Sequence, residues 1–516
     1  MAGDTAYSRT KNSLRNSLVA VGLQIVSLLI GFWSRRVFLN CLGTEVLGLN
    51  TTATSLLQFL NLVEMGIGSA IAFTLYKPIF DEDRQSIREI VALQGWLYRI
   101  VALIILAGSA VMMCFFPLIF SKTPLPIWYA YASFGVLLYS SLLGYFFNYK
   151  QVLLDACQLN YKVQLTVKLT SIFKLAAQAF AVKFFDNGYI WWLILEVVFA
   201  TLTAILLTRT VNRKFPYIKE NVESPAGLRH KYPSVVTKVK QLFVHKIGGF
   251  VSNQATPLLI YGFASLTLVA KYGNYLIFTT NLTYILSACF LGLTASVGNM
   301  VASDNRELTL KVFRELFSIR YLMTMVCCIC LWILVEPFVS LWIGEEYILD
   351  RTTLAWMIAV FYISNSRTVV DTYINAYGLF RDVWAPVVEV ILNLGLSIYL
   401  GSHYGLNGIL AALAISEFIV IKLWKPFFLF RYSLDVPWKE YVRINLKHLL
   451  ISLAVAAILI LVANFVDIDA AGSFGVFFLY AAAVFAAATG LLFLSLYAFE
   501  PGMRNFTSRM LNLLRK

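Results

Sequence analysis

The stretch NGYIWWLILE at residues 187–196 has a counterpart 220 positions later, NGILAALAISE at residues 407–417. In both copies an Asn-Gly pair opens an apolar segment, and the segment carries one glutamate, Glu196 or Glu417. The prolines of FFPLIF and VEPFVSL and several other landmarks keep the same offset to within two positions. A repeat of this length indicates a structural unit that the chain contains twice.

The composition is that of a membrane protein. Hydrophobic residues make up 59% of the 516 residues and charged residues only 14%, whereas charged residues are about 25% of a soluble domain. A membrane span requires about 20 mostly apolar residues, and the chain has fourteen such stretches. The predicted spans are 16–39, 46–76, 90–120, 127–149, 163–184, 188–208, 241–263, 268–296, 312–343, 352–376, 385–402, 406–430, 445–466 and 473–499.

Six of these spans fall in each copy of the repeat. Because an even number of spans starts both copies on the same side, the copies are parallel repeats with a pseudo-twofold axis along the membrane normal. The predicted fold is an all-α polytopic membrane protein of 14 transmembrane helices, with two six-helix lobes and two C-terminal helices. The predicted domains are an N-lobe at 1–215, a cytoplasmic linker at 216–240, a C-lobe at 241–435, and spans thirteen and fourteen with a basic tail at 436–516.

Lys and Arg are distributed asymmetrically over the joints between spans. If the N-terminus is cytoplasmic, the cytoplasmic joints hold 30 of the 42 basic residues, in line with the positive-inside rule. The sequence therefore predicts that both termini are cytoplasmic. The net charge of +14 is mostly this topology signal, and we reject binding to nucleic acid as its explanation.

No signature of an enzyme or of a cofactor site occurs in the sequence. The GxxxxGK[ST] phosphate loop and the kinase, HExxH and GxSxG motifs are missing. The seven cysteines lie mostly in apolar runs and lack the spacing of metal ligands. We therefore predict a transporter without catalytic chemistry, driven by an ion gradient, by the membrane potential or by the gradient of its own solute.

Basic side chains occur at membrane depth in both lobes. A charge inside a span costs roughly 2.5 to 3.5 kcal/mol on insertion scales, so such residues usually face protein or water. Several cations together predict a positively charged cavity for an anionic, phosphate-bearing solute. The candidates are Arg35, Arg36, Lys168, Lys174, Lys246, Lys271 and Arg367.

Lys174 lies in the middle of its span, which favours a role in the cavity, whereas the other candidates also have a structural explanation. Arg35, Arg36 and Lys271 can extend to the outer interface, and Lys168 and Lys246 can serve as topology anchors near the cytoplasmic ends of their spans. Arg367 is four residues from Asp371, so the two can form a structural ion pair. The glutamates within spans can stay protonated and only bond their neighbours.

Six short motifs resemble bacterial polysaccharide-export flippases, the Wzx-like branch of the multidrug/oligosaccharidyl-lipid/polysaccharide exporter superfamily. These motifs are LGTEVLGLN (42–50), EMGIGSAIAFTLYKPI (64–79), YKQVLLDACQLNYK (149–162), HKIGGFVSN (245–253), ASVGNMVA (295–302) and PFVSLWIGEEY (337–347). The resemblance implies a V-shaped pair of lobes in the bacterial inner membrane. It also implies that alternating access moves undecaprenyl-diphosphate-linked oligosaccharides from the cytoplasmic to the periplasmic leaflet, for O-antigen and other surface polysaccharide biosynthesis.

The resemblance also implies particular residues and partners. The motif residues are Glu64, Gly66, Gly68, His245, Lys246 and Gly248. The implied partners are the lipid-linked glycan, membrane lipids, a coupling cation (H⁺ or Na⁺) and a polysaccharide polymerase, and spans thirteen and fourteen are candidates for a groove that holds the polyprenyl tail.

Cation-coupled drug exporters of the superfamily often have an acidic residue in span one, and this span has none. Any coupling cation therefore depends on Glu64, Asp371 or Glu389, unless coupling is absent. The main alternative is a cation-coupled small-molecule exporter of the multidrug type. A membrane polymerase or glycosyltransferase is disfavoured because the extracytoplasmic loops are short.

Overall fold

The computed structural model describes residues 2–64, 67–121, 123–157, 159–219, 227–233, 235, 239, 255–290, 297, 300–301, 306–377, 379, 382, 384–465, 468 and 470–514. Within these ranges every regular element is helical. The chain divides into two compact units, residues 1–270 and 271–516.

The first part of the chain forms α1 (Ala2–Leu60), a 3₁₀ turn (Asn61–Glu64), α2 (Ile67–Phe80), α3 (Arg84–Cys114), α4 (Trp128–Phe146), α5 (Asn160–Phe184), α6 (Gly188–Lys214) and α7 (Leu228–Lys231). The second part forms α8 (Leu266–Ala288), α9 (Arg306–Ile343), α10 (Arg351–Ser366), α11 (Thr368–Ala376), α12 (Trp384–Glu417), two π-helical segments (Phe418–Trp424 and Phe430–Leu434) around α13 (Lys425–Leu429), α14 (Trp438–Phe465), α15 (Phe474–Phe499) and α16 (Pro501–Leu514).

Eight helices in the described ranges are long and apolar enough to cross a membrane, and a bent pair beginning at Trp128 would make nine. This count is lower than fourteen partly because neighbouring predicted spans are joined. Spans one and two are continuous in α1 across a kink at Gly43, and spans eleven and twelve are continuous in α12 across Gly405. The prediction of an all-α, multi-pass membrane fold is confirmed, and its fourteen spans are consistent with this helix order.

Each Asn-Gly pair of the repeat lies at or just after a residue with positive φ. In the first copy this residue is Asn187 itself, with φ 57° and ψ 44°, and in the second it is Gly405, two residues before Asn407, with φ 57° and ψ −132°. The two turns therefore differ in backbone conformation. A side chain at either glycine would meet the backbone of the preceding helix, 3.0 Å from the Val182 oxygen at Gly188 and against the Leu400 oxygen at Gly408. Glycine is therefore required at both turns for close backbone approach.

The described parts of the predicted linker pack against α3. Glu89 of α3, only 8% exposed, accepts hydrogen bonds from Lys231 Nζ at 2.6 Å and from Tyr232 Oη at 2.7 Å. The Glu89 carboxylate raises the pKa of Lys231 through this bond. Ile218 and Leu228 are buried in one hydrophobic cluster with Ile87 and Ile90 of α3, so the described part of the predicted linker is packed against the first unit.

Gly48 provides a test of the close packing of α1. A Cβ at Gly48 would lie on the backbone oxygen of Leu266, whereas a Cβ at Gly31 of the same helix would meet nothing within 4 Å. We expect Gly48→Ala to destabilise the protein by at least about 2 kcal/mol, because a backbone atom cannot move aside as a side chain can. Thermal unfolding in detergent measures this, with Gly31→Ala as the matched control. Equal unfolding temperatures for the two variants would contradict the close contact.

Candidate functional site

A group of five charged side chains lies within the second unit, and we call it the charge cluster: Arg367, Asp371, Glu389, Glu417 and Lys425. Arg367 occupies the break between α10 and α11. Its Nε lies 2.7 Å from Asp371 Oδ2, and Lys425 Nζ lies 3.2 Å from Asp371 Oδ1. Each oxygen of the Asp371 carboxylate thus has its own cation.

The two glutamates of the charge cluster come from α12 and are buried, with Glu389 5% and Glu417 9% exposed. Ser364 Oγ donates to Glu417 Oε2 at 2.6 Å. Glu389 is close enough to Arg367, Lys425 and Asp371 to interact with them electrostatically. With every member ionised, three carboxylates face two cations. The charge cluster can therefore accept one further positive charge, as a proton or a small cation.

A π-helical segment, Phe418–Trp424, positions the second cation of the charge cluster. Such wide turns occur frequently at functional sites. Lys425 follows the segment and contacts Asp371, whereas Lys422, three residues earlier and 4% exposed, contacts Tyr362 Oη and Asn445 Oδ1, both at 3.2 Å. The wide turn thus directs two nearby lysines toward different helices.

In the first unit, Lys174 of α5 forms an ion pair with Glu196 of α6, with Nζ 2.7 Å from Oε1. Gln178, one turn along α5, donates from Nε2 to Glu196 Oε2 at 3.0 Å. The Lys174 side chain is still 24% exposed. The amine is therefore both held by a carboxylate and accessible from outside the helix pair.

Glu64 lies in a different polar group of the first unit. Its carboxylate accepts hydrogen bonds from Tyr98 Oη at 3.0 Å and from Tyr145 Oη at 2.9 Å. Tyr145 Oη also lies 3.1 Å from Asn61 Oδ1, which accepts from Ser141 Oγ at 3.1 Å. Two phenols from α3 and α4 therefore stabilise this carboxylate, which ends the 3₁₀ turn after α1.

Glu64 gives a prediction that separates ion coupling from packing. We expect Glu64→Gln to keep the fold, because its amide oxygen still accepts one of the two phenolic hydrogen bonds and its amide nitrogen can donate to the oxygen of the other phenol, while the dependence of transport on pH or Na⁺ changes. Transport rates measured as a function of pH and of Na⁺ concentration test this. A profile identical to wild type would exclude Glu64 as a coupling residue, and Tyr98→Phe is the control for loss of one hydrogen bond.

The other predicted site residues have simpler surroundings. Arg36 is exposed, and Arg35, Lys168 and Lys271 are half-buried. No carboxylate among the described residues lies within 4.0 Å of Arg36, Lys168 or Lys271. Gly68 of α2 is half-buried, and the remaining motif residues lie outside the described residues: Gly66, His245, Lys246 and Gly248.

The structure thus brings together three predicted site residues, Arg367, Asp371 and Glu389, and places Lys174 and Glu64 in two other polar groups. Sequence reasoning missed the contribution of Lys425, which lies near the predicted cytoplasmic end of span twelve and was counted only toward the topology. Within the described residues no three His, Cys, Asp or Glu side chains converge as ligands for a metal ion.

No family model and no curated protein matches this sequence. Solved structures do match its fold. The lipid II flippase MurJ, in an inward closed conformation, aligns with a TM-score of 0.64 and 14% identity over 93% of this chain and 99% of its own. An inward-facing multidrug resistance MATE family transporter of the MOP superfamily aligns with a TM-score of 0.62 and 11% identity over 81% of this chain and 99% of its own.

A third structure, of a mutant of the Vibrio cholerae MATE transporter VcmN, aligns with a TM-score of 0.51 and 13% identity over 82% of this chain and 99% of its own. Identities this low leave the substrate open. The chain has the helical membrane fold that these MATE transporters and the MurJ flippase share.

Proposed function

We propose that this protein is a flippase for undecaprenyl-diphosphate-linked oligosaccharides, which it carries from the cytoplasmic to the periplasmic leaflet by alternating access. The observation that supports this most is the extent of the match to MurJ, 93% of this chain against 81% and 82% for the MATE structures. The MATE structures are themselves covered to 99%, so they have no counterpart for roughly a fifth of this chain. The MurJ structure, which is named as a lipid flippase, leaves only about 7% of this chain without a counterpart.

The basic side chains of the first unit suit a diphosphate headgroup. Arg36 lies on α1, and Lys168 and Lys174 lie on α5, which packs along α1. At 1.5 Å per residue, Lys168 and Lys174 are about 9 Å apart along the helix axis. Arg36 and Lys168 form no ion pair with a described carboxylate, so their charges are available for phosphate.

The charge cluster supports cation coupling. Its single excess negative charge favours uptake of H⁺ or Na⁺, and Asp371, which already has two cations, is the least suited of its three carboxylates to receive it. The buried Glu389 and Glu417 are better placed. The proposed setting is the bacterial inner membrane, with cytoplasmic termini and a polysaccharide polymerase acting on the product.

The proposal is tested with a deletion strain and with purified protein. Deletion should remove polysaccharide from the cell surface and accumulate lipid-linked oligosaccharide on the cytoplasmic side. Proteoliposomes should move a fluorescent undecaprenyl-diphosphate oligosaccharide between leaflets, and empty liposomes should not. Normal surface polysaccharide in the deletion strain would contradict the proposal.

A second candidate is a cation-coupled exporter of small molecules. It is favoured by the MATE alignment, which covers 99% of that transporter with a TM-score of 0.62. The deletion strain separates the two candidates. An exporter predicts increased sensitivity to organic cations with unchanged surface glycan, and a flippase predicts the opposite pattern.

A further inference from the structure

Arg320 of α9 is a fully buried arginine, 1% exposed. Its sequence position near the cytoplasmic start of span nine indicates only a topology cation. Its guanidinium instead makes three hydrogen bonds inside the second unit: Nε to Asn365 O at 3.0 Å, Nη2 to Asn365 Oδ1 at 3.1 Å, and Nη1 to Leu286 O. The Phe290 ring lies 5.0 Å from its Cζ.

No carboxylate of the described residues lies within 4.0 Å of Arg320, yet a buried charge requires compensation. Both carbonyl partners lie in the last turn of a helix, Leu286 in α8 and Asn365 in α10. The last four carbonyls of a helix lack internal partners, and the partial negative charge at a helix C-terminus favours a cation. The carbonyls at these two ends, together with Asn365 Oδ1, therefore stabilise the guanidinium.

The C-terminal end of α10 is also the break at which Arg367 of the charge cluster lies. Asn365 is two residues before Arg367, and its backbone oxygen also accepts from Thr368 Oγ1 of α11 at 3.0 Å. The Asn365 side chain donates to Thr283 Oγ1 of α8 at 2.9 Å. The break is therefore fastened to α8 and α9 from one side, while Arg367 and Asp371 extend from it toward Lys425.

We propose that Arg320 is a positioning residue for the charge cluster: by joining the C-terminal ends of α8 and α10 it fixes the break from which Arg367 and Asp371 are oriented. This assignment goes beyond the proposed function by adding a residue outside the charge cluster, and it rests on that function only for its transport measurement.

The first test is local and needs no substrate. In Arg320→Gln, hydrogen–deuterium exchange should rise in peptides covering 361–371 and 283–290 and stay unchanged in 474–499, which lies in α15. Arg320→Lys keeps the charge that the two helix ends require but lacks the planar fork, so it should unfold near the wild-type temperature and show intermediate exchange. Unchanged exchange at 361–371 in both variants would overturn the proposal.

The second test separates positioning from general stability. In a double-mutant cycle, Arg320→Lys and Arg367→Lys should each slow transport by about tenfold or more, since small misplacements are costly, and the double variant should be no slower than the slower single. Arg320→Lys with Arg351→Gln, at a distant ion pair, should combine additively. If the losses of transport were additive in the cycle with Arg367→Lys, the role of Arg320 would be only structural. If wild type moves no lipid-linked glycan, the proposed function fails, and the exchange result still decides the role of Arg320.

Discussion

Asp371→Asn should reduce transport to less than about a hundredth of wild type, one of the two largest losses that we expect from a single substitution in this chain. The Asp371 carboxylate is 2.7 Å from Arg367 and 3.2 Å from Lys425. Its neutralisation leaves two cations close together and removes the one excess negative charge of the charge cluster. A coupling cation would then meet no net attraction.

The stability cost of this substitution should be modest. Breaking a fully buried ion pair costs about 3–5 kcal/mol, but these side chains are 21% to 35% exposed, so we expect about 2 kcal/mol. Thermal unfolding and transport are measured on the same purified protein. The matched control is Glu336→Gln, which breaks the 2.6 Å pair with the exposed Arg351. Near-normal transport by Asp371→Asn would show that the charge cluster has no part in transport.

At the ion pair of Lys174 and Glu196 we expect an equally large loss of export, but only when the lysine is replaced. Lys174→Met should abolish export, because it removes an accessible amine at membrane depth. Glu196→Gln should retain export, because the amide keeps a hydrogen-bond acceptor for the amine and Lys174 keeps its charge. Surface polysaccharide in complemented deletion strains measures both outcomes.

A double variant separates the two explanations of this pair. Lys174→Met with Glu196→Leu removes both charges and packs apolar side chains, which is often neutral or stabilising for a buried pair. We expect this variant to fold and to remain inactive. Wild-type export from it would show that Lys174 and Glu196 only join α5 to α6.

The sequence predicted the parts of the structure that depend on local pattern. Apolar runs predicted the helices, and four-residue spacing predicted the pair of Arg367 and Asp371, since both lie on one helical face. The repeat places an Asn-Gly pair before an apolar segment in both copies, and in both the glycine lies against backbone atoms.

Contacts between helices distant in sequence could not be predicted in this way. Lys425 and Arg320 lie inside predicted spans twelve and nine, near the ends that are cytoplasmic in the predicted topology, and they were counted only toward that topology. Hydropathy marks where a span ends but gives no information on which way a side chain faces. The partners of Arg320 are mostly backbone carbonyls, which leave no residue-specific signal. Lys422 was missed for the same reason, as its contacts are a phenol and an amide.

The π-helical segment at Phe418–Trp424 determines which side chain after it faces Asp371. An α-helix turns by about 100° per residue, whereas the wider π-helical turn rotates the chain by less at each residue. If the same seven residues were wound as an α-helix, Lys425 would be rotated about the helix axis away from Asp371, even though every amino acid of the charge cluster was still present. The winding of 418–424 is therefore as much a part of this chemistry as the charged residues themselves.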